Sequence, residues 1–143
     1  MYSMEKIKFY IRNKISDALG NIMKENNITN ENNLNFEIEI PADSKHGDLS
    51  SNVALTLSKS FRMPPIKIAK LILQNLEFDP SLITKSEIAG PGFINFFLGN
   101  EFFKTTIQEI EKDDLNYGNS NFGNGKKIMV EFVSANPTGP MHM

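Results

Sequence analysis

The sequence predicts an α+β fold, with a small, mostly antiparallel sheet packed against about four helices. Three observations carry this expectation. The first 25 residues hold apolar side chains at helical spacing. An alternating apolar–polar stretch follows. Further on, two short apolar runs flank a Gly-Pro-Gly turn, with helical patterns before and after them.

In the amino-terminal segment Ile7, Ile11, Ile15, Ala18, Leu19, Ile22 and Met23 share one face of a helix expected over residues 4–24. An Asn-rich stretch, residues 26–33, ends it. Leu34, Phe36, Ile38 and Ile40 then alternate with Asn35, Glu37 and Glu39, which is the pattern of a half-buried strand, and Pro41 stops it. SKHGDLSSN reads as a loop in which Ser50 or Ser51 caps a helix carrying Val53, Ala54, Leu57 and Phe61. After MPP, Pro65 opens another helix with Ile66, Ala69, Leu73 and Leu76 facing inward. FDPS is a turn. The runs Ile83–Ala89 and Phe93–Leu98 are read as a hairpin, and residues 101–111 as a last helix carrying Phe102, Phe103, Thr106, Ile107 and Ile110.

Length and composition bound the function. The chain has 143 residues, 40% of them hydrophobic and 22% charged, which suits one domain with a proper core. No apolar run is long enough to span a membrane and no signal peptide is evident at the amino terminus. With no cysteine, disulfides and Cys-based zinc sites are excluded. Fifteen Lys and Arg against 17 Asp and Glu leave a net charge of −2, so any nucleic-acid contact must be local.

A boundary follows the last helix. Residues 113–125 are polar and rich in Asn and Gly, as in a linker or exposed loop. The next apolar run, residues 128–133, reads as a strand covered on both faces, which is the mark of a parallel sheet that the chain does not otherwise supply. The expected division is therefore residues 1–112, a linker at 113–125, and the first strand and loop of a second unit at 126–143.

Several residues stand out chemically, and each admits two readings. Glu131 interrupts the last apolar run; it either meets a cation such as a guanidinium or points to solvent at a strand end. Ser134, Asn136 and Thr138 lie just past that strand, where α/β sheets place ligands, yet their types also suit any turn. His142 has no second His or carboxylate beside it. His46 and Asp48 suggest either metal or acid–base chemistry, or a Gly47-centred loop held by the Asp. On the strand Phe93–Leu98, Phe93, Asn95 and Phe97 share one face, and Ile94, Phe96 and Leu98 the other. An aromatic beside an amide fits recognition of an unpaired RNA base; a strand buried on both faces fits equally.

VEFVSANPTGPMHM resembles the start of the catalytic domain of arginyl-tRNA synthetases, where a Val-Glu-Phe strand leads through Ser-x-Asn-Pro-Thr-Gly-Pro to a His-x-Gly-His signature. The match runs through the first His and Met143, so the signature's Gly and second His fall outside it. HGDLSSNVALTLSK, PPIKIAKLI, EIAGPGFINFFL and YGNS resemble the amino-terminal additional domain of the bacterial enzymes. The resemblance covers the whole chain. It implies ATP-dependent activation of arginine to an adenylate and transfer to the 3′ end of its tRNA, in the cytoplasm, by a monomer without a membrane partner. ATP enters as a substrate, with Mg2+, in the longer enzyme; no cofactor is expected on this chain, and no metal ligands are assigned.

Residue by residue, Glu131, Ser134 and Asn136 match arginine-binding positions, and Thr138, Gly139, Pro140 and His142 the ATP-binding loop, with His142 catalytic. Phe93 and Asn95 match positions that contact the tRNA D-loop at its elbow. By this reading the chain alone is inactive as an enzyme. The alternative is an RNA-binding or interaction domain with no catalytic role.

Overall fold

The six apolar residues Ile7, Ile11, Ile15, Ala18, Leu19 and Ile22 are all buried along one face of α1 (Tyr2–Glu25), in the phase expected from their spacing. The structure is a computed structural model and describes residues 2–26, 28 and 35–132. Asn26 closes α1, its backbone N–H and its Nδ2 both donating to the Ile22 carbonyl, at 3.0 and 2.8 Å.

The first strand is shorter than its alternation suggests. Phe36 and Ile38 are buried, but β1 is only Ile38–Glu39, and Ile40 is exposed next to Pro41; Leu34 lies outside the described residues. Arg12 reaches across from α1, placing its guanidinium 4.6 Å above the Phe36 ring while donating to the Phe36 carbonyl at 2.8 Å.

The stretch read as a loop contains a strand, β2 (Leu49–Ser51). Helix α2 (Val53–Phe61) follows and buries Val53, Ala54, Leu57 and Phe61 as expected. The N-cap is Asn52 and not the expected Ser50 or Ser51. The Ser51 hydroxyl accepts from the Val53 N–H at 3.3 Å, and the Asn52 side chain accepts from the Glu37 N–H at 2.9 Å, so the N-cap side chain does not cap the helix. Arg62, in a left-handed conformation, ends the helix.

Helix α3 (Pro65–Asn75) starts at the expected proline but turns a different face inward. Ile68, Ala69 and Ile72 are fully buried, Leu73 and Leu76 partly, and Ile66 is exposed. Lys67, Lys70 and Gln74 mark the outer side, but the apolar residues span more than one buried face, so the packing partners decide which of them is covered.

Strands β3 (Ile83–Ala89) and β4 (Phe93–Leu98) form the hairpin at the expected limits. Gly92, at φ 138°, lets the turn lie against α3, where a Cβ would come within 2.7 Å of the Pro65 Cβ. Helix α4 (Asn100–Asp113) is held by the buried Phe102 and by a Lys6–Glu109 ion pair at 3.0 Å, while Phe103 is exposed. Its Ile107 and Ile110 stay exposed.

The four strands form one antiparallel sheet in the order β1-β2-β4-β3. Leu49, Ile94, Phe96 and Leu98 point to one face, where they join the buried side chains of α1, α2 and α3. The α+β class expected from the sequence is thus observed, with every strand pair antiparallel. Residues 126–132 carry no regular structure, and Ile128, Met129, Val130 and Phe132 are exposed. The strand expected over 128–133 is not formed across 128–132, because an isolated strand has no ladder partner to satisfy its backbone groups.

Candidate nucleic-acid interface

The face of the sheet away from the helices carries the site. Register sets Glu39 opposite Ser50, Ser50 opposite Asn95, and Asn95 opposite Glu87, so one polar row crosses all four strands. A groove of about 560 Å³ opens over the Glu39, Ser50 and Asn95 part of this row. Residues 40–42 and the turn at 89–91 wall it, and Phe93 stands beside it with 38% of its surface exposed.

Asn95 is only 1% exposed. The Ser50 hydroxyl donates to its Oδ1 at 2.8 Å, whereas its Nδ2 is buried with no partner among the described residues. Of the two readings of this face, burial throughout is excluded for Phe93 and holds for Asn95. The amide is paired with a side chain, not with the backbone.

The groove is lined by Glu37 and Glu39 and by no Lys or Arg. Neither carboxylate makes an ion pair with another described residue. A phosphate entering here would meet like charge with no Lys or Arg in the groove lining to offset it. An uncharged group with hydrogen-bonding edges and a flat face suits the groove far better. Further along β4, Phe97 is covered by Lys85, whose ammonium lies 4.8 Å from the ring and also pairs with Glu87. That leaves Phe93 as the aromatic at the groove.

His46, Gly47 and Asp48 serve the scaffold. Gly47 adopts φ 84°, and a Cβ there would come within 2.7 Å of the Phe96 carbonyl oxygen. The Asp48 N–H donates to that same oxygen at 2.9 Å, and the Asp48 Oδ2 accepts from the Leu98 N–H at 2.8 Å. The loop is stitched to β4, which positions β2 and therefore Ser50. His46 is exposed at the groove edge. Among the described residues no group of three or more His, Cys, Asp or Glu side chains could hold a metal ion. Asp48→Ala leaves the Leu98 N–H unpaired at a partly buried site, for an expected loss of about 1–3 kcal/mol in urea denaturation. A loss below about 0.5 kcal/mol, the range of ordinary surface changes, would contradict this role.

Of the remaining candidates, Glu131 is exposed within the irregular residues 126–132. Ser134, Asn136, Thr138, Gly139, Pro140 and His142 lie outside the described residues. The sequence marks neither Ser50, read there as a candidate helix cap, nor Glu39 as a site residue. Alternation with Ile38 does place Glu39 on the outer face, but Ser50 needs β2, which its Leu-Ser-Ser sequence does not announce.

The family model of the arginyl-tRNA synthetase N-terminal domain matches residues 9–98, which hold all four strands and the groove. The chain belongs to that family. Among its relatives, the arginine–tRNA ligase of Caldanaerobacter subterraneus subsp. tengcongensis is 44% identical over 140 residues, 98% of this chain and 25% of the relative. That of Ruminiclostridium cellulolyticum is 43% identical over 138 residues, 96% and 24% of the two chains. The Listeria monocytogenes enzyme is 47% identical over 106 residues, 74% of this chain and 19% of its own. The chain therefore spans about a quarter or less of the length of these arginyl-tRNA synthetase relatives. The crystal structure of arginyl-tRNA synthetase from Plasmodium falciparum superposes with a TM-score of 0.56 at 17% identity, covering 73% of this chain and 18% of that one. At that identity the likeness speaks to the fold. No described helix is long and apolar enough to cross a membrane.

Proposed function

We propose that this chain is the tRNA-elbow-binding portion of an arginine–tRNA ligase, and that its groove takes an unpaired base of the D-loop. The observation that carries this reading is the exposed Phe93 ring beside the buried Asn95, whose Nδ2 has no partner among the described residues, in a groove without Lys or Arg. A ring face stacks any base, and an amide bonds a base edge. Family membership and the activity named for the relatives support the ligase assignment. With net charge −2 and no Lys or Arg in the groove, the chain alone binds tRNA weakly and with little salt dependence, because phosphate contacts supply most nucleic-acid affinity.

The longer protein activates arginine with ATP and transfers it to tRNA in the cytoplasm. Glu131, Ser134 and Asn136 hold arginine, the Glu131 carboxylate facing its guanidinium. Thr138, Gly139, Pro140 and His142 contact ATP, with His142 stabilising its phosphates. The exposed apolar side chains at 128–132 suit a strand of the catalytic sheet. Arginine-dependent ATP–pyrophosphate exchange tests the division of labour. The 143-residue chain is expected to show none, and a chain extended through the catalytic part is expected to show it. Exchange by the short chain, or none by the long one, would contradict the proposal.

A further inference from the structure

We infer that Ser50 is a positioning residue that fixes the polarity of the Asn95 amide, so that the groove presents a hydrogen-bond donor to its ligand and selects among bases by the acceptor they offer. The inference deepens the tRNA-base reading above and rests on it.

A buried amide has two ends, and left unconstrained it can present either. Here the Ser50 hydroxyl donates to Oδ1 at 2.8 Å across the β2–β4 ladder, occupying the accepting end. Glu37 and Glu39 line the same groove, and Glu39 lies one strand beyond Ser50 in the same row. Their negative charge favours the N–H end of the amide toward the groove and opposes the carbonyl end. A hydroxyl can donate or accept, so the carboxylates set the preferred polarity and the Ser50 bond to Oδ1 holds it, leaving Nδ2 as the group on offer.

Nδ2 is buried and has no partner among the described residues. A buried donor left unpaired is costly and rare in folded proteins, and a bound acceptor removes that cost. The acceptor must reach the groove floor, with neighbouring side chains turning aside. A ring nitrogen or exocyclic oxygen on the edge of a base stacked on Phe93 has this chemistry. The carboxylates nearby then accept from a donor on the same edge. Ser50 lines the same groove, and its part in base selection is to hold the Asn95 amide.

The test uses four transcripts of arginine tRNA that differ in one D-loop nucleotide, the one whose abasic replacement weakens binding most. The parent chain is expected to spread the four bases over roughly 10-fold in affinity, the scale of one hydrogen bond. Ser50→Ala should collapse that spread to about 2-fold or less, and Ser50→Thr, which keeps a hydroxyl, should restore most of it. Phe93→Ala should weaken all four alike and leave the spread intact. A melting curve for each variant confirms that it is folded, and a ratio between bases is insensitive to the folded fraction. A full spread retained in Ser50→Ala, or no spread in the parent, would overturn the role of Ser50. If Phe93→Ala alters no affinity, the base-binding reading itself fails, which is a separate and recognisable outcome.

Discussion

Replacing Phe96 by Ala is expected to destabilise the chain by about 3–5 kcal/mol, the usual cost of emptying a buried aromatic site. Phe96 is fully buried at the centre of β4 and packs edge-to-face against Phe78 at 5.7 Å. Its neighbours in the core come from helices and sheet alike, so little can collapse into the space. Its backbone carbonyl also accepts from the Asp48 N–H, which ties the core to the loop that positions β2. Chemical denaturation of parent and variant reads the effect directly. A loss under about 1 kcal/mol would mean that the site collapses around the smaller side chain, or that the core lies elsewhere.

Three residues earlier on the same strand, the effect should fall on binding instead. Phe93→Ala is expected to weaken tRNA binding by about 1–3 kcal/mol, roughly 5- to 150-fold, the range for base–aromatic stacking. The ring is 38% exposed and faces away from the core, so its removal should cost far less stability than removal of Phe96. Binding is best measured in a chain extended through the catalytic part, where other contacts raise the affinity into a convenient range. There, arginine activation without tRNA should be unchanged. If the variant loses several kcal/mol of stability and binding merely follows the folded fraction, Phe93 is a core residue.

The contrast between these two phenylalanines was legible in the sequence, because strand periodicity alone assigns them to opposite faces. The same is true of α1, whose isoleucines repeat at helical spacing among charged neighbours, and of the hairpin around Gly-Pro-Gly. Other features depend on tertiary partners and leave no local trace. β2 is three residues long and forms because β4 offers its edge and Asp48 anchors the approach. α3 is apolar on several sides, and contact with α1, α2 and the sheet chose Ile68 and Ile72 over Ile66. Burial of Asn95 and its bond to Ser50 follow from cross-strand register, which a single strand's pattern does not contain. The run at 128–132 has strand composition but no partner, and composition without a ladder does not make a strand.

The central claim is that the outer face of the sheet around Phe93 and Asn95 meets the tRNA. Backbone amide chemical shifts of the isotopically labelled chain, followed as arginine-tRNA transcript is added, test it most directly. Shifts should move for the amides lining the groove, among residues 46–52 and 87–95, and stay fixed along α1 and α4. A second transcript with the D-loop bases removed should leave them all in place. Shifts confined to the helices, or groove shifts that persist without the D-loop bases, would contradict the account.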